Sequence, residues 1–502
     1  MSFTTWKEIN WPMVNARVLR YQTRIFKAAK EKNKPKVEWL QKKLLNSLDA
    51  KLVAVRRVTN LNKGKNTLGV DKKVFVTEHQ KIKLVKGLRL DGKAMPIRRV
   101  YVTKPAPKYG KRPFGIPTVK DRAKQTLCLL ALEPEWEARF EENSYGFRPG
   151  RCCQDAIEAI FLSLRNKDGD PEHQKYVLYA DIEKCFDQIN HDYIFQKLET
   201  FPLLENQIKA WLEAGILEEF LESYKEDKIS NNIMGTPQGG IISPLLSNIA
   251  LHGMENHIKD WIETKPSFAK TNKYSKSNKR KSITVIRYAD DFVIIHKNKG
   301  IVEEAKEEIE KWLWEGPRLK LSDPKTYIRD TNQGFNFLGF SIITVAKGNM
   351  PRIKIYPSKD SQKRLLEKVR LIIQNNRSAS SYNLINLLSP IIIGWGNYFK
   401  YSECTTTFNK LSHLIFQKLR AWVFRRDTRN GRKKVKLRYF PENKTYKFGN
   451  SEHKDNWVLN GKQIDEKGIL RTNYLPHLSW IKSDKWVKTK GTSSPFDGAN
   501  LY

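Results

Sequence analysis

The stretch that most limits what this chain can fold into is Val285–His296, VIRYADDFVIIH. Val285, Ile286 and Arg287 lead into Tyr288-Ala289-Asp290-Asp291, and Phe292, Val293, Ile294 and Ile295 follow. β-Branched and aromatic residues on both sides of a short polar tip predict a hairpin buried on at least one face. Two adjacent carboxylates there repel each other and lose hydration unless something cationic lies between them. An isolated Asp-Asp pair is more often a solvated turn, but apolar strands pin this one. A third carboxylate has a similar setting upstream. Tyr176–Ile182 is a strand pattern that runs into Asp181, and Gln188–Asp192 then opens a helix. A strand ending in Asp beside a hairpin carrying Asp-Asp is what a two-magnesium phosphoryl-transfer site needs. Mg2+ takes hard oxygen ligands and keeps substrate phosphates in its shell. Two such ions about 4 Å apart activate an attacking hydroxyl and stabilise the leaving group.

Three blocks then carry a family likeness: DIEKCFD (Asp181–Asp187), GTPQGGIISPLLSNIAL (Gly235–Leu251) and RYADDF (Arg287–Phe292). In this order and at these separations they resemble the palm motifs of reverse transcriptases. More narrowly, they resemble the group II intron-encoded reverse transcriptase/maturase family. The resemblance implies an α+β right-hand polymerase (palm and fingers) with an α-helical thumb/maturase domain and a basic C-terminal segment. It implies an RNA-directed DNA polymerase in which Asp181, Asp290 and Asp291, with the Ile182 carbonyl, hold two Mg2+ ions. It also implies a maturase that binds its group II intron RNA as a ribonucleoprotein, assisting splicing and intron mobility. An RNA template, a DNA primer or target and dNTPs are the further partners. One rival is a defence or CRISPR-associated reverse transcriptase, against which the maturase-like block Pro390–Phe399 stands. Another is an RNA-binding splicing factor with a vestigial polymerase, which would not need the intact carboxylate triad.

Charge agrees with such partners. Lys and Arg number 91 against 54 Asp and Glu, a net +37, as expected of a chain that tracks a polyphosphate over a long surface. A membrane surface would also attract this charge. However, no apolar run approaches the ~18 residues of a membrane span, and Met1–Asn10 lacks the apolar core of a signal peptide. Cys128, Cys152, Cys153, Cys185 and Cys404 form no CxxC pair. Neither a zinc ribbon nor a disulfide framework is expected, and a reducing cytoplasm, organellar matrix or stroma is the natural compartment.

In chain order, Trp6 to about Arg57 reads as two amphipathic helices, with Val14, Val18, Tyr21 and Ile25 on one stripe and Val37, Leu40, Leu44 and Leu48 on the other. Arg17, Arg20 and Arg24 lie on the opposite face, and the family's N-terminal extension binds intron RNA. Thr59–Asp71 is a polar loop, a connector or, by resemblance, a template neighbour. Ile97–Lys120 predicts a two-stranded hairpin with Lys104 and Arg112 on facing strands. Matched to the family's fingers motif, this pair grips the incoming triphosphate. Ser144–Arg151 (SYGFRPGR) offers Tyr145 and Phe147 for template contact or a plain turn, and Arg148 for phosphate or an internal carboxylate. The Pro237–Gly240 turn precedes a helix with Ser243 as N-cap and Pro244 at its first position. By resemblance it supports the nascent base pair, with Gln238 as its polar contact.

Lys265–Ser282 reads as a mobile basic insertion. By resemblance Lys325 faces the triphosphate, Phe186 crowds a ribose 2′-hydroxyl, and Phe335–Phe340 turns against the primer. Three helices follow, with apolar stripes at Leu365, Val369, Ile372 and at Leu384, Leu387, Leu388. The third helix carries Lys418, Arg420, Arg425 and Arg426. The boundaries expected are 1–72 for a helical extension and basic loop, 73–345 for fingers and palm, 355–430 for the thumb, and 431–502 for a basic DNA-binding-like tail with no nuclease domain.

Overall fold

The computed structural model describes residues 5–103, 110–165, 174–217, 229–230, 234–236, 239–266, 276–347 and 350–498. Its centre is a four-stranded antiparallel sheet in the order Thr284–Tyr288, Asp291–His296, Tyr176–Asp181, Tyr327–Asp330. Phe292 to His296 are buried without alternation, because both faces of the sheet are covered. Leu178, Ala180, Val285, Phe292 and Ile294 point into one core, together with the N-terminal helices. Val177, Ile286, Val293 and Ile295 point into a second core, shared with helix Cys153–Leu164 and the C-terminal helices. The two-residue strand period thus splits one set of strands between two cores.

Ile97–Thr103 and Lys111–Ile116 pair antiparallel, with Val102 opposite the backbone of Arg112. Short segments Ile216–Leu217 and Ile229–Ser230 extend this outer sheet. Lys104 lies outside the described residues, as does Gln238. Helix Val119–Glu137 packs against the N-terminal helices and is buried along almost its whole length. The N-terminal region forms three helices instead of the two expected: Trp11–Lys30, Lys34–Asn46 and Leu48–Arg56. Extended backbone at Ser47 breaks the second stripe, and Leu48 starts the new helix half-exposed. Helix Ser243–Ala250 is capped by Ile242, one residue earlier than expected, with Ser243 already helical. Part of the basic insertion lies outside the described residues, but Lys276–Ser282 is helical. There Arg280 pairs with Asp260 and, at 2.9 Å, with Glu263.

Phe335–Phe337 and Phe340–Lys347 form a hairpin through Leu338 and Gly339, both at positive φ. Three helices follow, Lys359–Asn375, Ser381–Phe399 and Thr405–Arg426. Ile373 and Ile385 take the buried places expected of Ile372 and Leu387, a shift of one or two positions on each stripe. The tail is itself folded, with hairpins Thr445–Lys454 and Asn460–Tyr474 around Tyr446, Val458 and Trp480. It then crosses back to the first half of the chain. Trp486 Nε1 and Thr489 N both donate to Asp155 Oδ1 at 2.9 Å. Arg151 donates to the carbonyls of Thr489, Gly491 and Ser493 at 3.2, 2.7 and 2.8 Å. Among the described residues no helix is long and apolar enough to cross a membrane.

Candidate active site

Strand register brings the carboxylates together. Asp181 stands opposite Asp291 on the two central strands, and Asp290 sits in the two-residue turn before Asp291. Ala289 adopts φ +59° there, which tightens the turn. Ile182 N donates to Asp290 O at 3.1 Å, tying the end of one strand to the tip of the other. Lys325, in the short 3-10 turn Asp323–Lys325, reaches Asp181 Oδ2 at 2.5 Å while its side chain stays half-exposed. Tyr179 OH donates to Asp291 Oδ1 at 2.7 Å. Burial raises the Asp291 carboxyl to about 6; Tyr179 opposes the shift, and neighbouring Asp290 and Asp181 add to it. A carboxylate held above its normal range by burial, and further by two like charges, is a donor that a divalent cation would relieve.

The donor set suits a hard cation, although its spacing is not yet that of a metal shell. Among the described residues no three His, Cys, Asp or Glu side chains stand at ligand spacing. Lys325 supplies the cation on Asp181 instead. Asp181, Asp290, Asp291 and the Ile182 carbonyl are the groups that could hold metal.

Of the two alternatives open for Arg148, the internal carboxylate is the one observed, and Arg17 also has an internal partner. Arg148 is buried and bidentate to Glu137 at 2.9 and 3.0 Å, and its remaining nitrogen donates to the carbonyls of Glu141 and Ser144. With every nitrogen engaged inside the protein, it is an internal brace. Arg17 is bidentate to Asp49 at 2.6 and 2.7 Å, locking the first helix to the third. Arg20 and Arg24 remain exposed, Arg24 over the Trp39 ring. Tyr145 is fully buried, but Phe147 is 54% exposed with its ring edge-on to Phe186, centroids 5.9 Å apart. The Gly-Gly turn meets the protein's own backbone. A Cβ on Gly239 would lie 2.2 Å from Gly115 O, so the missing side chain serves contact with the outer hairpin.

Sequence reasoning passed over Arg287. It is almost fully buried, donating to Asn248 Oδ1 at 3.0 Å, to Ala289 O at 3.1 Å and to Ser144 Oγ at 2.7 Å. Gly146 packs so closely that a Cβ there would fall 2.3 Å from Ala289 N. One guanidinium therefore joins three motif blocks around the Asp-Asp turn. The signal available was an Arg inside an apolar strand, which must find partners when buried.

Comparison with known proteins agrees with this arrangement. Residues 102–342 match the family described as reverse transcriptase (RNA-dependent DNA polymerase), and residues 6–88 its N-terminal domain. Residues 362–440 match the group II intron, maturase-specific domain. The chain belongs to the group II intron-encoded reverse transcriptase/maturase family. Among relatives of this reverse transcriptase/maturase, Protein YkfC of Escherichia coli is 32% identical over 320 residues, 58% of this chain and 80% of that protein. The group II intron-encoded protein LtrA of Lactococcus lactis is 28% identical over 344 residues, covering 58% of this chain. The match spans 54% of the length of LtrA. Maturase-like protein 1 of Euglena gracilis is 26% identical over 414 residues, 81% of this chain and 79% of that protein.

Proposed function

We propose that this reverse transcriptase/maturase extends a DNA primer on an RNA template at Asp181, Asp290 and Asp291, and separately holds folded intron RNA on basic surfaces. The register of Asp181 against Asp291, with Asp290 in the adjoining turn, carries the polymerase reading. These carboxylates, with the Ile182 carbonyl, would hold two Mg2+ ions. When bound, such ions activate a primer 3′-hydroxyl and neutralise charge on departing pyrophosphate.

The chain's own groups supply the rest. Lys325 holds a positive charge on Asp181 until substrate arrives, and is then free to meet the triphosphate and give a proton to the leaving group. Lys104 and Arg112 are assigned the β- and γ-phosphates, and Gln238 the nascent base pair. Phe186, held between the Asp181 strand and Phe147, is assigned the space beside the sugar 2′ position. Helices 359–426 form the thumb against the product duplex, and the folded tail supports DNA binding. Arg20 and Arg24, on the exposed face of the first helix, are assigned to intron RNA. Asp290→Ala is expected to reduce Mg2+-dependent dNTP incorporation on a primed RNA template to background. Full extension by that variant would remove the assignment.

A further inference from the structure

A second concave site lies between helices Lys359–Asn375 and Thr405–Arg426. It is a cavity of about 480 Å3, within the ~300–1,000 Å3 range of clefts that take small ligands. Arg370, Arg377, Lys418, Arg425 and Arg426 line it, over buried Ile373 and Trp422. Both helices end here, and helix C-termini attract cations. Each end carries roughly half a negative charge, so the two account for about one of the five cations. Arg426 is spent on the loop after the first helix, donating to the carbonyls of Arg377, Ser378 and Ala379, and its guanidinium lies over one part of the Trp422 ring at 5.0 Å. Arg370 lies 3.8 Å from Glu367 with both side chains well exposed, a contact that neutralises little. Arg377, Lys418 and Arg425 have no carboxylate partner among the described residues. Trp422 adds a second signal: its buried indole N–H has no hydrogen-bond acceptor among the described residues.

Surplus positive charge calls for an anion, and the apolar residues and spare donor beneath it call for a flat polar ring. We propose that this cavity receives one unpaired nucleotide of a folded RNA, its base against Ile373 and Trp422 and its phosphate on Arg377, Lys418 and Arg425. A nucleotide within a duplex does not fit this geometry, because its base is stacked and paired away from the backbone. The inference rests on the reading of the chain as an intron RNA-binding protein, and it adds which RNA feature one site recognises.

The test uses the full chain and three hairpins of one sequence: a fully paired RNA, the same RNA with a single-nucleotide bulge, and the bulged hairpin in DNA. Wild-type protein is expected to bind the bulged RNA at least tenfold more tightly than either of the others. Ala421→Phe fills the cavity from an exposed position with all charges kept, and is expected to erase the preference while paired RNA still binds. Arg377→Glu with Arg425→Glu is expected to erase it too, and to reduce the slope of log affinity against log salt by about 0.7, the value for one lost single-strand phosphate contact. Equal binding of bulged and paired RNA, or a preference that survives Ala421→Phe, overturns the pocket alone. Equal binding of bulged RNA and DNA overturns the choice of RNA. Displacement of the bulged RNA by millimolar 5′-AMP would make the ligand a free nucleotide and overturn it as well. Failure to bind any hairpin overturns the RNA-binding reading itself, and dNTP incorporation by the same preparation reports separately on the polymerase.

Discussion

His252 shows how far one buried side chain departs from solution behaviour. Its ring lies between the edges of Trp136 and Phe140, and Glu141 approaches Nδ1 to 4.0 Å. The carboxylate does not win. Burial, and then the cations Lys197, Arg287, Arg139 and Arg148, lower the imidazole to about 4. The folded state therefore refuses a proton that the unfolded chain accepts near its ordinary value of 6.5. Stability is full above pH 6.5 and is lost as pH falls toward 4, by on the order of 2–3 kcal/mol. His252→Phe is expected to flatten the wild-type slope of unfolding free energy over that window. Denaturant titrations of both proteins at pH 4.5, 5.5 and 7 would show it, and parallel slopes would refute it. At Phe186 the effect is steric. Phe186→Ala is expected to raise the ratio of rNTP to dNTP incorporation at least tenfold, since no attractive contact replaces the excluded volume. An unchanged ratio would put the gate elsewhere.

Among elements, helix Val119–Glu137 marks where sequence reading ran out. Leu127, Leu130 and Leu132 identify it as core, and they are core. Periodicity gave no hint that Asp121, Arg122, Lys124, Gln125 and Glu137 are buried with them. Three of them meet a partner from a distant part of the chain: Lys124 pairs with Asp91 at 2.5 Å, Arg122 with the carbonyls of Gly64 and Thr67, and Gln125 Oε1 with Ile241 N. Local pattern reports burial of a face; it cannot report pairing set by tertiary packing. The Asp-Asp hairpin was legible for the opposite reason. Its apolar run, its two-residue turn and its carboxylates all lie within twelve consecutive residues, and register did the rest. The choice between phosphate and internal carboxylate stayed open for Arg148 because an Arg in a Gly/Pro-rich loop carries no local mark of burial. Arg148→Ala strands Glu137, itself buried, and is expected to cost about 3–5 kcal/mol of stability. A change under 1 kcal/mol in chemical denaturation would mean that the pair is dispensable.

Across the whole molecule, the proposed function puts polymerisation and RNA holding on different residues. The carboxylates sit in the central sheet, whereas Arg20 and Arg24 sit on the exposed face of the first helix. Arg20→Glu with Arg24→Glu is expected to weaken intron RNA binding by tenfold or more and to flatten its salt dependence. Primer extension on a generic template should persist. Asp290→Ala with Asp291→Ala should give the reverse pair of results in splicing and extension assays. Loss of both activities in both folded variants would end the division of labour.

The crossing of residues 486–493 over Asp155 and Arg151 has a consequence in time. Those contacts join positions more than 330 apart in the chain. During synthesis at about 5–20 residues per second, the helix at Cys153–Leu164 waits roughly 20–70 s for its last hydrogen-bond partners. Until then Asp155 lacks the indole and amide that bury it, and Arg151 lacks the three carbonyls that fix it. The strands of the central sheet are thus all synthesised first, and the seam that fastens the two halves can close only late in translation.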